Sequence, residues 1–212
     1  MRGLCKGVLV MIVLSACSSV TSSPASSAVA PEAVQSLPLF STPSTAAAGH
    51  YSGGELSFEF PAAWNQASFE EQGSFSRVIV FLSTEALHEP CTTRVNSVGT
   101  ETDCGWPIAN GSLGSDGVLA TWLGMGFPGW TFNPNNGTPG QIGGKTATVN
   151  DQVAPDECTA LGGVRWMVAT IPRPDAASNW YEMDACYAGP DLAPIRAQLQ
   201  AMLDSVEWVR TP

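Results

Sequence analysis

Hydrophobic and polar residues alternate through Glu55-Leu-Ser-Phe-Glu-Phe60, with Leu56, Phe58 and Phe60 on one side. That period of two predicts a half-buried strand. Pro61-Ala-Ala-Trp64 breaks it and returns an aromatic to the core, and Gln66 to Glu70 reads as a short second strand. The continuous apolar run Val78-Ile-Val-Phe-Leu82, inside Ser76 to Thr84, is too short for a lone helix and rich in β-branched residues, which predicts a central strand. Gly117 to Leu123, Lys145 to Val149 and Val164 to Ile171 are further strands, the last stopped by Pro172 and Pro174. From Trp180 to Tyr187 the residues alternate again. Tyr181, Met183 and Ala185 share one face, and Glu182 and Asp184 share the other, where the two carboxylates could approach each other but read as exposed surface. A helix comes last. Asp191 is its expected cap and Pro194 fits its first turn. Leu192, Ile195, Leu199, Met202 and Leu203 form its apolar stripe. Asp204-Ser205 ends it, and Val206 to Val209 returns as a terminal strand. Many strands and one clear late helix define an α+β domain built on an antiparallel sheet.

The amino terminus follows a different pattern. Arg2 and Lys6 precede an apolar run from Gly7 to Ala16. As a helix that run is about 15 Å long, half of the ~30 Å bilayer core. A charged start, a short apolar run and small residues before a cut point predict a secretory signal peptide over residues 1–16. Leu14-Ser15-Ala16-Cys17 resembles the lipobox of bacterial lipoproteins. The resemblance implies that the Cys17 thiol receives a diacylglycerol and becomes the first residue of the mature chain. Two or more acyl chains give stable anchoring where one gives only reversible binding. The expected location is therefore the outer side of a cell membrane.

Residues 18–49 hold nine Ser, seven Ala, four Pro and three Thr, with Glu32 the only charge. That composition supports no helical or strand period, so residues 17–49 read as a lipidated cysteine and flexible tether. Residues 50–212 carry all seven tryptophans and read as one globular domain.

Two of the nine Lys and Arg lie in the leader, leaving seven against nineteen Asp and Glu. An acidic balance of that size argues against nucleic acid, which is bound through basic contacts to phosphate. It also argues against docking on anionic lipid by charge. The leader accounts for two of six cysteines: Cys5 departs and Cys17 is lipidated. Cys91, Cys104, Cys158 and Cys186 remain, and an even count in an exported domain predicts two disulfides, with three connectivities open. Cys91–Cys104 and Cys158–Cys186 are preferred, because Thr92 to Asp103 is a polar loop with little core of its own. Zinc is the weaker alternative, since no Cys-x-x-Cys pair is present.

The strand–Pro61-x-x-Trp64 opening, the Ile142-Gly143-Gly144-Lys145 block and the closing helix–Ser205-Val206 strand together resemble PsbP-like domains. Actinobacterial lipoproteins of the LpqN type share that fold. The resemblance implies an α/β/α sandwich, an antiparallel sheet flanked by helices, serving as a non-catalytic binding or accessory module. The polar segment between Cys91 and Cys104 and a long aromatic loop depart from it.

Catalytic motifs are scarce. Gly144-Lys145-Thr146 ends like a P-loop, but position 139 is Pro139 rather than the first glycine. Gly114-Ser-Asp-Gly117 lacks the spacing of a nucleophile elbow. Triad or zinc chemistry would rest on His88 alone, because His50 stands at the domain edge. Asp151, Asp156 and Glu157 cluster before Cys158 without a calcium-loop spacing. Asn110-Gly-Ser112 and Asn136-Gly-Thr138 match the glycosylation pattern and, with a bacterial leader, read as turns. No cofactor or metal is expected. The Gly/Pro/Asn-rich segment from Gly124 to Pro139 reads as a loop bearing Phe127, Trp130 and Phe132. Those rings are either a contact surface or a cover for one sheet face. The expectation is a membrane-anchored binding module for an envelope protein, glycan or lipid. The alternative is an envelope hydrolase without a recognisable motif.

Overall fold

The structure, a computed structural model, describes residues 48–69, 75–97, 99–173 and 179–209. The chain divides into two units, Met1–Thr42 and Pro43–Pro212, and every described residue belongs to the second. The leader, Cys17 and the tether up to residue 47 lie outside the described residues.

Every strand expected from alternation is present, with shifted boundaries. The first four are β1 (Ala48–Ser52), β2 (Leu56–Pro61), β3 (Asn65–Ala67) and β4 (Ser76–Ser83). A hairpin follows, β5 (Cys91–Asn96) with β6 (Gly99–Cys104), and then β7 (Val118–Gly126), β8 (Thr138–Ile142) and β9 (Lys145–Val153). The single-turn helix α1 (Asp156–Ala160) leads to β10 (Arg165–Pro172) and β11 (Asn179–Tyr187). The longer helix α2 (Ala193–Asp204) and β12 (Glu207–Trp208) close the described chain. Among the described residues, seven strands form one sheet in the order β3-β4-β7-β11-β10-β9-β8, and a smaller sheet has the order β1-β2-β12. All strand pairings are antiparallel.

Period-two alternation gives the large sheet two distinct faces. One face turns Ala120, Trp122, Met167, Ala169, Ile171, Met183 and Ala185 toward Phe58 and Phe60 of β2 and Leu199, Met202 and Leu203 of α2. Trp122 is fully buried there, stacked on Phe58 with centroids 5.4 Å apart. Each large side chain so buried contributes roughly 1.5–3 kcal/mol. The opposite face carries a smaller cluster around Phe81, Ile108, Leu119, Leu161 and the Cys158–Cys186 pair.

Five sequence expectations change. Thr92 to Asp103 is a hairpin rather than a loop, its register running from Cys91 opposite Cys104 to Asn96 opposite Gly99. The first domain strand begins at Ala48, inside the expected tether, because Ala48 and Gly49 pair with Pro61 and Phe60. The Gly124–Pro139 loop is shorter than expected, since β7 runs on to Gly126 and β8 begins at Thr138. Flanking helices amount to twelve-residue α2 on one face and five-residue α1. The domain is thus mainly antiparallel β with few helices. At the start of α2 the cap position is Leu192, and Asp191 acts one residue earlier, its carboxylate accepting the Ala193 amide at 3.1 Å.

The Gly143-Gly144 turn shows why its sequence is needed. Both residues have positive φ, 56° and 76°, as a two-residue type I′ hairpin requires. A Cβ on Gly143 would also strike the Trp208 indole and the Val206 carbonyl. Close approach lets Trp208 Nε1 donate to the Ile142 carbonyl at 3.1 Å, tying β12 to the hairpin.

Candidate functional site: an aromatic and acidic groove

Along β11, the side chains on the sheet face opposite α2 are Trp180, Glu182, Asp184 and Cys186 in order, about 7 Å apart. Both ends of this row are covered. Cys186 is bonded to Cys158 of α1 beneath the smaller cluster. Trp180 lies under Trp130, their rings stacked with centroids 4.2 Å apart and planes 17° from parallel. The two carboxyl groups stand between these covers.

A groove of about 410 Å³ opens beside Asp184. Phe81, Trp106, Pro107, Leu123 and Trp166 wall it, and Ser76 and Thr121 add hydroxyls. A smaller cavity of about 140 Å³ adjoins Glu182, between Trp130, Phe132 and Thr170. Strand register joins the two spaces, since Asp184 faces Val168, and Glu182 faces Thr170 two pairs further on.

Electrostatics make the acidic pair unusual. Trp180 Nε1 donates to Glu182 Oε2 at 2.9 Å. Asp184 Oδ1 is sealed from solvent and has no hydrogen-bond partner. Burial, then the charge of Glu182 and a hydrogen-bonding interaction with it, push the Asp184 carboxyl up to about 8. At neutral pH Asp184 therefore keeps its proton. The expectation that both acids are plain exposed surface is corrected. Walls contributed by β4, β10 and the segment after β6 desolvate this face, which strand alternation alone does not reveal.

Other predicted residues are placed as follows. Trp130 and Phe132 cover the sheet face, whereas Phe127 projects, 51 % exposed, against the equally exposed Phe75 with centroids 4.9 Å apart. His88 is an exposed residue whose Nδ1 donates to the Pro107 carbonyl at 3.1 Å. His50 is exposed on β1. Asp151, Asp156 and Glu157 do not converge. Asp156 and Glu157 sit exposed in the first turn of α1, while Asp151 is clamped by Arg165 and Arg196. Cys91–Cys104 and Cys158–Cys186 are both disulfide-bonded.

A larger cavity, about 780 Å³, lies elsewhere, between β8, β9 and α2. Its charged groups are already matched to one another. Arg165 Nε and the Tyr187 hydroxyl donate to Asp151 Oδ1 at 2.9 and 2.8 Å, and Arg196 Nε donates to Oδ2 at 2.6 Å. That cluster fastens α2 to the sheet, whereas the Asp184 groove leaves a buried acceptor unmatched. We therefore place the candidate site at the groove.

Compared with known protein families, curated proteins and solved structures, the chain matches none. Among the described residues no helix is long and apolar enough to cross a membrane.

Proposed function

We propose that this protein is a membrane-anchored envelope lipoprotein that captures a ligand in the groove beside Asp184 and catalyses no reaction. The observation that carries the binding reading is the groove itself, walled by Trp106 and Trp166 with Asp184 the one carboxyl in its lining. Aromatic walls with a few convergent polar groups are the usual makings of a ligand pocket. Anchoring rests on the Leu14-Ser15-Ala16-Cys17 lipobox and the polar tether behind it. The finer fold reading, a PsbP-like domain of the LpqN type, is supported by the turn after β2, the Gly143-Gly144 hairpin and the closing α2–β12 unit.

A second reading, an envelope hydrolase, draws on the acidic pair, because a carboxyl raised toward neutrality suits general acid work. The geometry favours binding. Retaining glycosidases hold their two carboxyls about 5–5.5 Å apart on either side of the scissile bond, whereas Glu182 and Asp184 stand side by side on one face of β11. Two measurements test the proposal. Cys17→Ala should release the protein from the membrane fraction, and unchanged fractionation would overturn the anchor. A panel of ester, peptide and glycoside substrates should show no turnover. Turnover that disappears in Glu182→Gln would replace binding with hydrolysis.

A further inference from the structure

The groove beside Asp184 contains an acid and no base. Its lining among the described residues includes Phe81, Trp106, Trp166 and Asp184 but no Lys, Arg or His. Glu182, on the same strand, is the titratable group that acts on Asp184; β7 and β10 place Thr121 and Val168 opposite it. Indole faces attract cations through their quadrupole, most strongly where water is excluded. Asp184 is the one carboxyl in the lining of this groove, and beside the two indoles it completes a cation site. The chain's acidic balance, nineteen Asp and Glu against nine Lys and Arg, draws cations toward it.

We propose that the groove binds the ammonium group of an organic cation, with the nitrogen against Asp184 and the apolar body between Trp106 and Trp166. The inference rests on the groove being the ligand site and adds the ligand's chemical class. It also specifies a proton balance. Asp184 enters as the neutral acid, the ligand arrives already positive, and the ion pair forms as the Asp184 proton leaves to solvent. A neutral sugar or alcohol stacked on the same indoles would leave that proton in place.

The test uses the purified full-length protein with benzyltrimethylammonium, whose charge is fixed at every pH, and its uncharged isostere neopentylbenzene. Binding is followed by tryptophan fluorescence and by calorimetry in two buffers of different ionisation enthalpy. We expect the cation to bind with release of about one proton at pH 6.5, its affinity rising about tenfold per unit between pH 6 and 7.5. Asp184→Asn should abolish that pH dependence and weaken the cation at least tenfold, with thermal melting showing an intact fold. If the isostere binds as tightly as the cation, or no proton is released, the ammonium assignment falls while the groove stands. If neither probe binds to the unaltered protein, the groove itself is not the ligand site. Proton release is measured on the unaltered protein, so the outcome does not depend on a variant folding.

Discussion

Trp130 lies flat on Trp180, centroids 4.2 Å apart, and this one stack decides how the aromatic loop is used. Trp180 is buried and holds Glu182 through its indole nitrogen at 2.9 Å, so the stack also shields an acidic side chain. Trp130→Ala should destabilise the domain by about 2 kcal/mol, from lost area and lost ring stacking. Phe127 is half exposed, and Phe127→Ala should stay within about 0.5 kcal/mol. Urea unfolding of the two variants checks the contrast. Equal effects would mean that Trp130 does not pack as described.

Asp184 makes stability depend on pH in an uncommon direction. Its folded carboxyl titrates near 8, well above the ordinary carboxylate value, so between these limits the folded state binds more protons than the unfolded one. Stability then falls as pH rises from about 4 to about 8. Asp184→Asn should flatten that decline and raise the melting temperature above pH 8. Melting curves across this range provide the check, and a parallel decline in the variant would contradict the account.

Asp151 works with the opposite sign. Burial alone would raise its carboxyl, but hydrogen bonds from Tyr187 and Arg165 and the charges of Arg165 and Arg196 outweigh burial and hold it below the usual range. Its contribution is complete above the ordinary carboxylate value and is lost as pH falls through the depressed one. Asp151→Asn should cost about 1.5–3 kcal/mol at neutral pH, the range for hydrogen bonds to charged groups. It should also reduce the domain's sensitivity to acid. Denaturant titrations at pH 7 and pH 3 measure both effects.

How far the sequence reaches can be judged from these same residues. Alternation in β2 and β11 and the aliphatic run in β4 revealed both the strands and their buried faces, because burial on one side leaves a period-two trace. The β5–β6 hairpin left no such trace. It forms a separate two-stranded sheet, its Val95 is 81 % exposed, and Thr93 and Thr102 pair across it through their hydroxyls at 3.1 Å. With no packed face, it has no alternation to read. In β8, Thr138, Pro139, Gly140 and Gln141 are all exposed on a sheet edge, which again erases the pattern. The groove was hidden for another reason. Glu182 and Asp184 alternate as surface residues would, and their desolvation comes from Trp106, Trp166 and Trp130, remote in sequence. Long-range closure of that kind is absent from any local window.

The two disulfides should differ in what they hold. Cys91–Cys104 closes the base of an exposed hairpin, with a sequence separation of 13. Cys158–Cys186 joins α1 to the central strand β11 across a separation of 28, and both its cysteines are buried. Loop entropy alone treats them nearly alike, at roughly 3 kcal/mol each. Packing separates them. Gly163 lies so close to both sulfurs of the second bridge that a Cβ there would overlap Cys158 Sγ and Cys186 Sγ. Cys158→Ala with Cys186→Ala therefore removes a cross-link and opens a void in the cluster of Phe81, Leu119 and Leu161. That double variant should lose about 3–5 kcal/mol in global unfolding. Cys91→Ser with Cys104→Ser should lose less than about half as much, because freeing an exposed hairpin leaves both core clusters intact. Hydrogen exchange should show faster exchange confined to β5 and β6 in the second case and spread through β10 and β11 in the first. A hairpin variant as destabilised as the buried one would mean that β5 and β6 support the core after all.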